Sequence, residues 1–245
     1  MPRAARTKSS TGIYHVMLRG INRQRVFEDS EDNEKYLQTI ADCKPICGFE
    51  LYAYCLMGNH VHLLLKEGTE SLEQIFKRIG SRYVYWYNWK YDRCGHLFQD
   101  RFKSEAIEND GYFLTVLRYI HQNPVKAGIS ESVSEHEWSS YNNYIQKNGI
   151  VDYEFALDLI GELQYEAFMS EERNDKCLDE SAKRLHDSKL LAMIEEMAGI
   201  KAANIQNEPR ERRNQILRDI LKIEGVSTRQ LSRVTGISAN TIWAL

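Results

Sequence analysis

Apolar and polar positions recur along the first half of this chain with two periods, two and about 3.6, and so sort it into strands and helices. Residues 13–19, IYHVMLR, are β-branched and aromatic and predict a strand. Residues 31–47 place Tyr36, Leu37, Ile40 and Ala41 on one stripe, which predicts a helix closed by Gly48. Residues 49–57, FELYAYCLM, and 60–66, HVHLLLK, read as the two strands of a hairpin around Gly58-Asn59. A second helix is expected from Ser71 to about Lys90 through Leu72, Ile75, Ile79, Val84 and Trp86, with Glu73 and Gln74 near its start. Residues 101–107, RFKSEAI, predict a fourth strand. Asp110 can cap a third helix, which Pro124 is expected to end.

The order strand, helix, strand, strand, helix, strand predicts an α+β fold: a ferredoxin-like antiparallel four-stranded sheet with helices on one face. The other face is expected to stay open for a site. Beyond residue 147 the character changes. Residues 148–182 hold 2 Lys+Arg against 10 Asp+Glu, and an acidic helical connector is expected over 148–210. In 211–245 the spacing of Leu231, Ser232, Gly236, Ile237, Ile242 and Leu245 predicts a helical C-terminal extension ending in a helix-turn-helix, with Ser227 and Ser238 as N-caps. Its last helix is short for reading a groove, as it would be in a clipped chain.

Composition narrows the class. Of 245 residues, 42% are hydrophobic and 27% charged, as in ordinary globular chains. No apolar run approaches the ~18 residues of a membrane span. The start, MPRAARTKSST, lacks the apolar stretch of a secretory signal. A cytoplasmic protein without a membrane partner is expected. Five cysteines without a CxxC pair argue for reduced thiols over a disulfide framework. The net charge of −3 carries no global nucleic-acid signal, but its distribution does. Arg3, Arg6, Lys8, Arg19, Arg23 and Arg25 all precede the first acid, and residues 183–245 carry a net +4.

The chemistry centres on LMGNHVHLLL, residues 56–65. On a strand His60 and His62 share one face, and Val61, Leu63 and Leu65 share the other. Two imidazoles so placed can chelate a metal ion, although an isolated HxH is more often a hydrogen-bonded pair. On the third helix Tyr119 and Asn123 stand four residues apart and project together, whereas His121 lies about 200° from Tyr119. A tyrosine beside an amide ligand suggests a phenolate nucleophile near a metal; its ordinary pKa of about 10 means it needs help. Tyr83, Tyr85, Tyr87 and Tyr91 are rival tyrosines.

These segments resemble a known family. LMGNHVHLLL is similar to the HUH motif of single-tyrosine transposases. LRYIHQNPVKAG resembles the tyrosine-bearing helix of their REP-associated branch, and IYHVMLRGINRQRVF and GHLFQDRFKS resemble two further segments of it. The resemblance covers most of 13–128 and implies a nuclease and transposase domain over 1–147. It implies that Tyr119 attacks a DNA phosphate, forms a 5′-phosphotyrosine link and releases a 3′-hydroxyl. It implies Mg²⁺ or Mn²⁺ held by His60 and His62, with Asn123 as a third protein ligand, and hairpin-forming palindromic DNA as substrate. The chain departs from many members in having Gly58 for Pro and Phe98 for Trp; Asn123 replaces the Gln of simpler insertion-sequence relatives.

Single-stranded or hairpin DNA needs phosphate contacts and stacking surfaces. Candidates are Arg3, Arg6, Arg19, Arg23, Arg25, Arg82, Arg101 and Lys103, with Arg229, Arg233 and Asn240 in the C-terminal segment. The aromatics of SRYVYWYNWKY are expected to be mostly core, and His15 to support the metal face. A monomer or homodimer is expected. Two other readings compete. One is a non-catalytic DNA-binding regulator of repetitive palindromic sites. The other is a zinc protein, since a two-residue Gly58-Asn59 turn sets Cys55 opposite His62.

Overall fold

A computed structural model describes residues 7–99, 101–171, 173, 177–178, 187–223 and 225–244. The first elements are β1 (Ile13–Arg19), α1 (Ser30–Cys47), β2 (Glu50–Met57), β3 (His60–Lys66), α2 (Leu72–Lys90), β4 (Lys103–Ile107) and α3 (Asp110–Lys126). The strands form one antiparallel sheet in the order β2-β3-β1-β4. This is the expected ferredoxin-like arrangement.

Local chemistry explains the ends. Asp29 caps α1 in a reciprocal box with Asp32, and Gly48 ends it at φ 67°, a left-handed conformation that costs glycine little. Gln74 completes a box with Ser71 at the start of α2. Asn59 and Gly58 make a two-residue turn, since Met57 pairs with His60. The loop after β1 grips this turn: the amides of Gly20 and Val26 donate to Asn59 and Gly58 carbonyls at 2.9 and 2.8 Å. A Cβ on Gly20 would stand 2.2 Å from the Gln24 carbonyl oxygen, so only glycine fits that approach.

Register sorts the side chains. Val16 pairs with Leu63 and Leu18 with Val61, and all four are buried on one face. Met17 pairs with His62, Cys55 with His62, and His15 with Leu64 and Glu105, which places these on the opposite face. That face is not open as expected. The rings of Tyr119 on α3 and His62 lie 5.8 Å apart, so α3 covers it. Pro124 also fails to end α3, which runs on to Lys126. Proline removes its own donor and crowds the carbonyl one turn back, but the amides of Ala127 and Gly128 still close the last turn on Asn123 and Val125.

The acidic stretch does not form one connector. Its first part packs onto the sheet domain through α4 (Tyr141–Gln146), α5 (Glu154–Ile160) and α6 (Tyr165–Ser170). The Tyr144 hydroxyl donates to the Tyr52 carbonyl at 2.7 Å, and Gln122 Nε2 donates to the Met169 and Glu171 carbonyls at 2.8 Å each. The chain divides between Asp179 and Glu180 rather than at the boundaries expected from charge, because Val151, Leu157, Tyr165 and Met169 belong to the first unit's core.

The second unit contains α7 (Asp187–Ala198), α8 (Arg210–Leu221), α9 (Thr228–Thr235) and α10 (Ala239–Trp243) around Leu190, Ile194, Leu217, Ile220, Leu231 and Ile242. Ser227 and Ser238 cap α9 and α10 as expected, and Gly236 ends α9 in the left-handed region. No helix among the described residues is long and apolar enough to cross a membrane.

Candidate active site

β3 delivers both histidines to one place. Their ring centroids lie 5.1 Å apart in an edge-on arrangement. His62 is fully buried, while His60, at the start of the strand, is half-buried. Asn59 fixes the chemistry of His60. Its Nδ2 donates to the Arg23 carbonyl at 3.2 Å, which settles which end of the amide is oxygen. Its Oδ1 lies 2.6 Å from His60 Nδ1 and can only accept, so His60 carries its proton on Nδ1 and its lone pair on Nε2. His62 Nδ1 is 2.9 Å from His15 Nε2.

α3 brings the tyrosine. The Tyr119 ring stands edge-on, 5.8 Å from both His15 and His62, and the residue is 5% exposed. Lys126, two turns along, sits with Nζ 5.1 Å from the Tyr119 ring centre. Asn123 is buried, and its Nδ2 donates to the Tyr119 carbonyl at 3.0 Å, so its oxygen is the end available to a cation. His121 faces away, bonded to Ser140 Oγ at 2.8 Å and Tyr165 at 3.2 Å, and burial holds it neutral with its pKa lowered to about 3. The rival tyrosines are elsewhere: Tyr83 donates to the Val26 carbonyl, Tyr91 bonds Asp32, and Tyr85 is exposed on α2.

Two imidazoles with centroids 5.1 Å apart could hold a divalent cation, and with Nδ1 bonded to Asn59 the nitrogen His60 would offer is Nε2. Among the described residues no group of three His, Cys, Asp or Glu side chains could hold a metal ion. Cys55 does stand opposite His62, but its thiol lies 3.7 Å from Met57 Sδ and burial pushes its pKa up strongly. Among the described residues Cys55 does not join the histidines in a group of three that could hold a metal ion.

Residues 8–123 match the family model described as transposase, IS200 like. That match spans just under half of the chain, and over it the chain is similar to the IS200-like transposases. It is 26% identical over 115 residues to the REP-associated tyrosine transposase of Escherichia coli K12, a match covering 45% of this chain. The chain spans 65% of that relative's length, just under two thirds. It also resembles a solved structure, a REP-associated tyrosine transposase bound to a REP hairpin, with a TM-score of 0.53 and 21% identity over 60% of this chain and 87% of that one. At that identity the likeness concerns the fold.

In the sheet-bearing unit the basic residues divide by position. Arg23 and Arg25 line a groove of ≈ 690 Å³ with Asn59, His60, His136 and Trp138. Arg19 pairs with His60 in register, and Lys103 pairs with Met17 at the sheet edge; both lie on the histidine face. Arg101 is exposed just before β4. Arg82 is apart from these, held on the helical layer by Cys43 Sγ at 3.6 Å. Arg3 and Arg6 lie outside the described residues. In the second unit Arg229 and Asn240 are exposed, whereas Arg233 is held by Asp187 at 2.7 and 2.9 Å. Asn59, Glu105 and Lys126 were not singled out from sequence. The hairpin turn was the available signal for Asn59; helical spacing from Tyr119 was the signal for Lys126.

Proposed function

We propose that this chain is a metal-dependent single-tyrosine DNA endonuclease and strand transferase acting on single-stranded or hairpin-forming palindromic DNA. The observation that carries the reading is Tyr119 standing beside His62 on the face that His60 shares.

Tyr119 Oη attacks the scissile phosphorus as it gives up its proton. The bond from phosphorus to the 3′ oxygen breaks, and that oxygen leaves as a 3′-hydroxyl. The 5′-phosphate stays on Tyr119 as a phosphotyrosine, and attack by another 3′-hydroxyl rejoins the strand. Mg²⁺ or Mn²⁺, held by His60 and His62 with Asn123 as a further ligand, would supply Lewis-acid charge at the phosphate. Lys126 adds positive charge beside Tyr119, favouring the phenolate. Arg19, Arg23, Arg25 and Lys103 bind phosphates around the groove. The helix pair α9 and α10 is assigned as a DNA-contacting helix-turn-helix through Arg229, Arg233 and Asn240, with Arg233 exchanging Asp187 for phosphate.

The test is a labelled hairpin oligonucleotide incubated with the full chain and Mn²⁺. A denaturation-resistant protein–DNA adduct is expected with Mn²⁺ and not with a chelator. Hairpin binding without an adduct would favour the non-catalytic regulator.

A further inference from the structure

We infer that His15 and Glu105 form a relay that fixes the ring tautomer of His62, keeping the proton on Nδ1 and the lone pair on Nε2 for a cation. The inference rests on the proposed metal role of His62 and makes His15 and Glu105 positioning residues.

His15 lies on β1 and is fully buried. Its Nε2 is 2.9 Å from His62 Nδ1, so one ring donates and the other accepts. The two tautomers are therefore coupled. If His15 holds its proton on Nε2, His62 must accept at Nδ1 and, when neutral, carry its proton on Nε2. If His15 holds its proton on Nδ1, His62 donates from Nδ1 and Nε2 has the lone pair.

Glu105 decides between these states. The β1–β4 register places it directly opposite His15, and Oε2 lies 3.9 Å from His15 Nδ1. That is an ion-pair distance, longer than a hydrogen bond. A carboxylate there attracts an N–H and repels a lone pair, so the proton sits on His15 Nδ1. The carboxylate is itself kept ionised: His15 foremost lowers its pKa, against the effect of burial, and the Tyr112 hydroxyl on α3 also lowers it. The order is then carboxylate, His15, His62, cation. A ligating histidine whose other nitrogen is oriented in this way binds metal more tightly. Asn59 does the same for His60 by a separate contact.

The test needs neither cleavage nor DNA. Long-range ¹H–¹⁵N correlation spectra of the metal-free full chain at one neutral pH read the His62 tautomer. Mn²⁺ titration followed by electron paramagnetic resonance reads affinity. Wild type is expected to show Nδ1–H at His62. His15→Phe removes the acceptor; His62 should move toward Nε2–H, and Mn²⁺ affinity should fall about 10- to 100-fold. His15→Gln keeps an acceptor at the same reach and should recover most of the loss. Glu105→Gln, at a partly exposed edge-strand position, keeps the fold and should give mixed tautomers with weaker Mn²⁺ binding. Nε2–H at His62 in the wild type overturns the relay, as do unchanged spectra and affinity in Glu105→Gln. A wild type with the Nδ1–H tautomer that takes up no Mn²⁺ keeps the relay and sinks the metal reading.

Discussion

Asn59 Oδ1 accepts from His60 Nδ1 at 2.6 Å, while the same amide donates to the Arg23 carbonyl at 3.2 Å. The turn residue that reverses the hairpin thus also orients the histidine that follows it, and links it to the arginine-lined groove. Replacing Asn59 with Ala leaves the turn sterically possible and removes that orientation. Mn²⁺ affinity measured by titration is expected to fall about tenfold, with thermal stability nearly unchanged.

Lys126 stands 5.1 Å from the centre of the Tyr119 ring. In the proposed mechanism its charge would favour the phenolate and the scissile phosphate. Lys126→Ala should lower the single-turnover cleavage rate about 10- to 100-fold, with hairpin affinity little changed. Equal cleavage rates in the two proteins would remove Lys126 from the site.

Arg23 and Arg25 line the groove beside His60. Each alanine substitution should weaken binding to all hairpin sequences alike. Binding measured across a salt series should lose about 0.7 to 0.9 from its log–log slope per phosphate contact removed. A loss confined to one sequence would mean base reading instead.

His121 is buried, bonded to Tyr165 and to Ser140 Oγ, which itself bonds the backbone of Tyr54 on β2. Its pKa is lowered to about 3 by burial, from an ordinary 6.5. The unfolded chain therefore binds a proton between these values that the folded chain does not. Stability from this group is complete above pH 6.5 and is lost as pH falls toward 3, at roughly 1.4 kcal/mol per unit. Urea unfolding between pH 7 and 5, where most carboxylates stay ionised, should show the decline. His121→Gln should flatten it.

Gln122 holds the chain after α6 by donating to the Met169 and Glu171 carbonyls. Gln122→Ala leaves buried acceptors unmet and should cost about 1–3 kcal/mol. Hydrogen exchange should rise first over residues 165–171.

Much of this was legible in the chain. The alternation in HVHLLLK and the two-residue turn determined the register, down to Cys55 opposite His62. The serine caps of α9 and α10 were readable because their partners are three residues away. The cover over the histidine face was not. Residues 116–124 of α3 are all buried, polar ones included, because the helix packs on the sheet and is also covered by the segment carrying Tyr165 and Met169. A helix buried on all sides has no polar stripe to reveal which face meets the sheet. Acidic composition likewise marked 148–210 as a connector, although its apolar residues Val151, Leu157, Tyr165 and Met169 complete the core of the first unit. Glu105 was hidden because its role depends on strand order, which places β4 beside β1.

The central claim is that Tyr119 is the nucleophile. The most direct measurement is tandem mass spectrometry of the protein–DNA adduct after protease and nuclease digestion. The nucleotide mass is expected on Tyr119 through a 5′-phosphate, and no adduct is expected from Tyr119→Phe. A nucleotide on Tyr85 or any other residue, or an adduct that persists in Tyr119→Phe, would contradict the account.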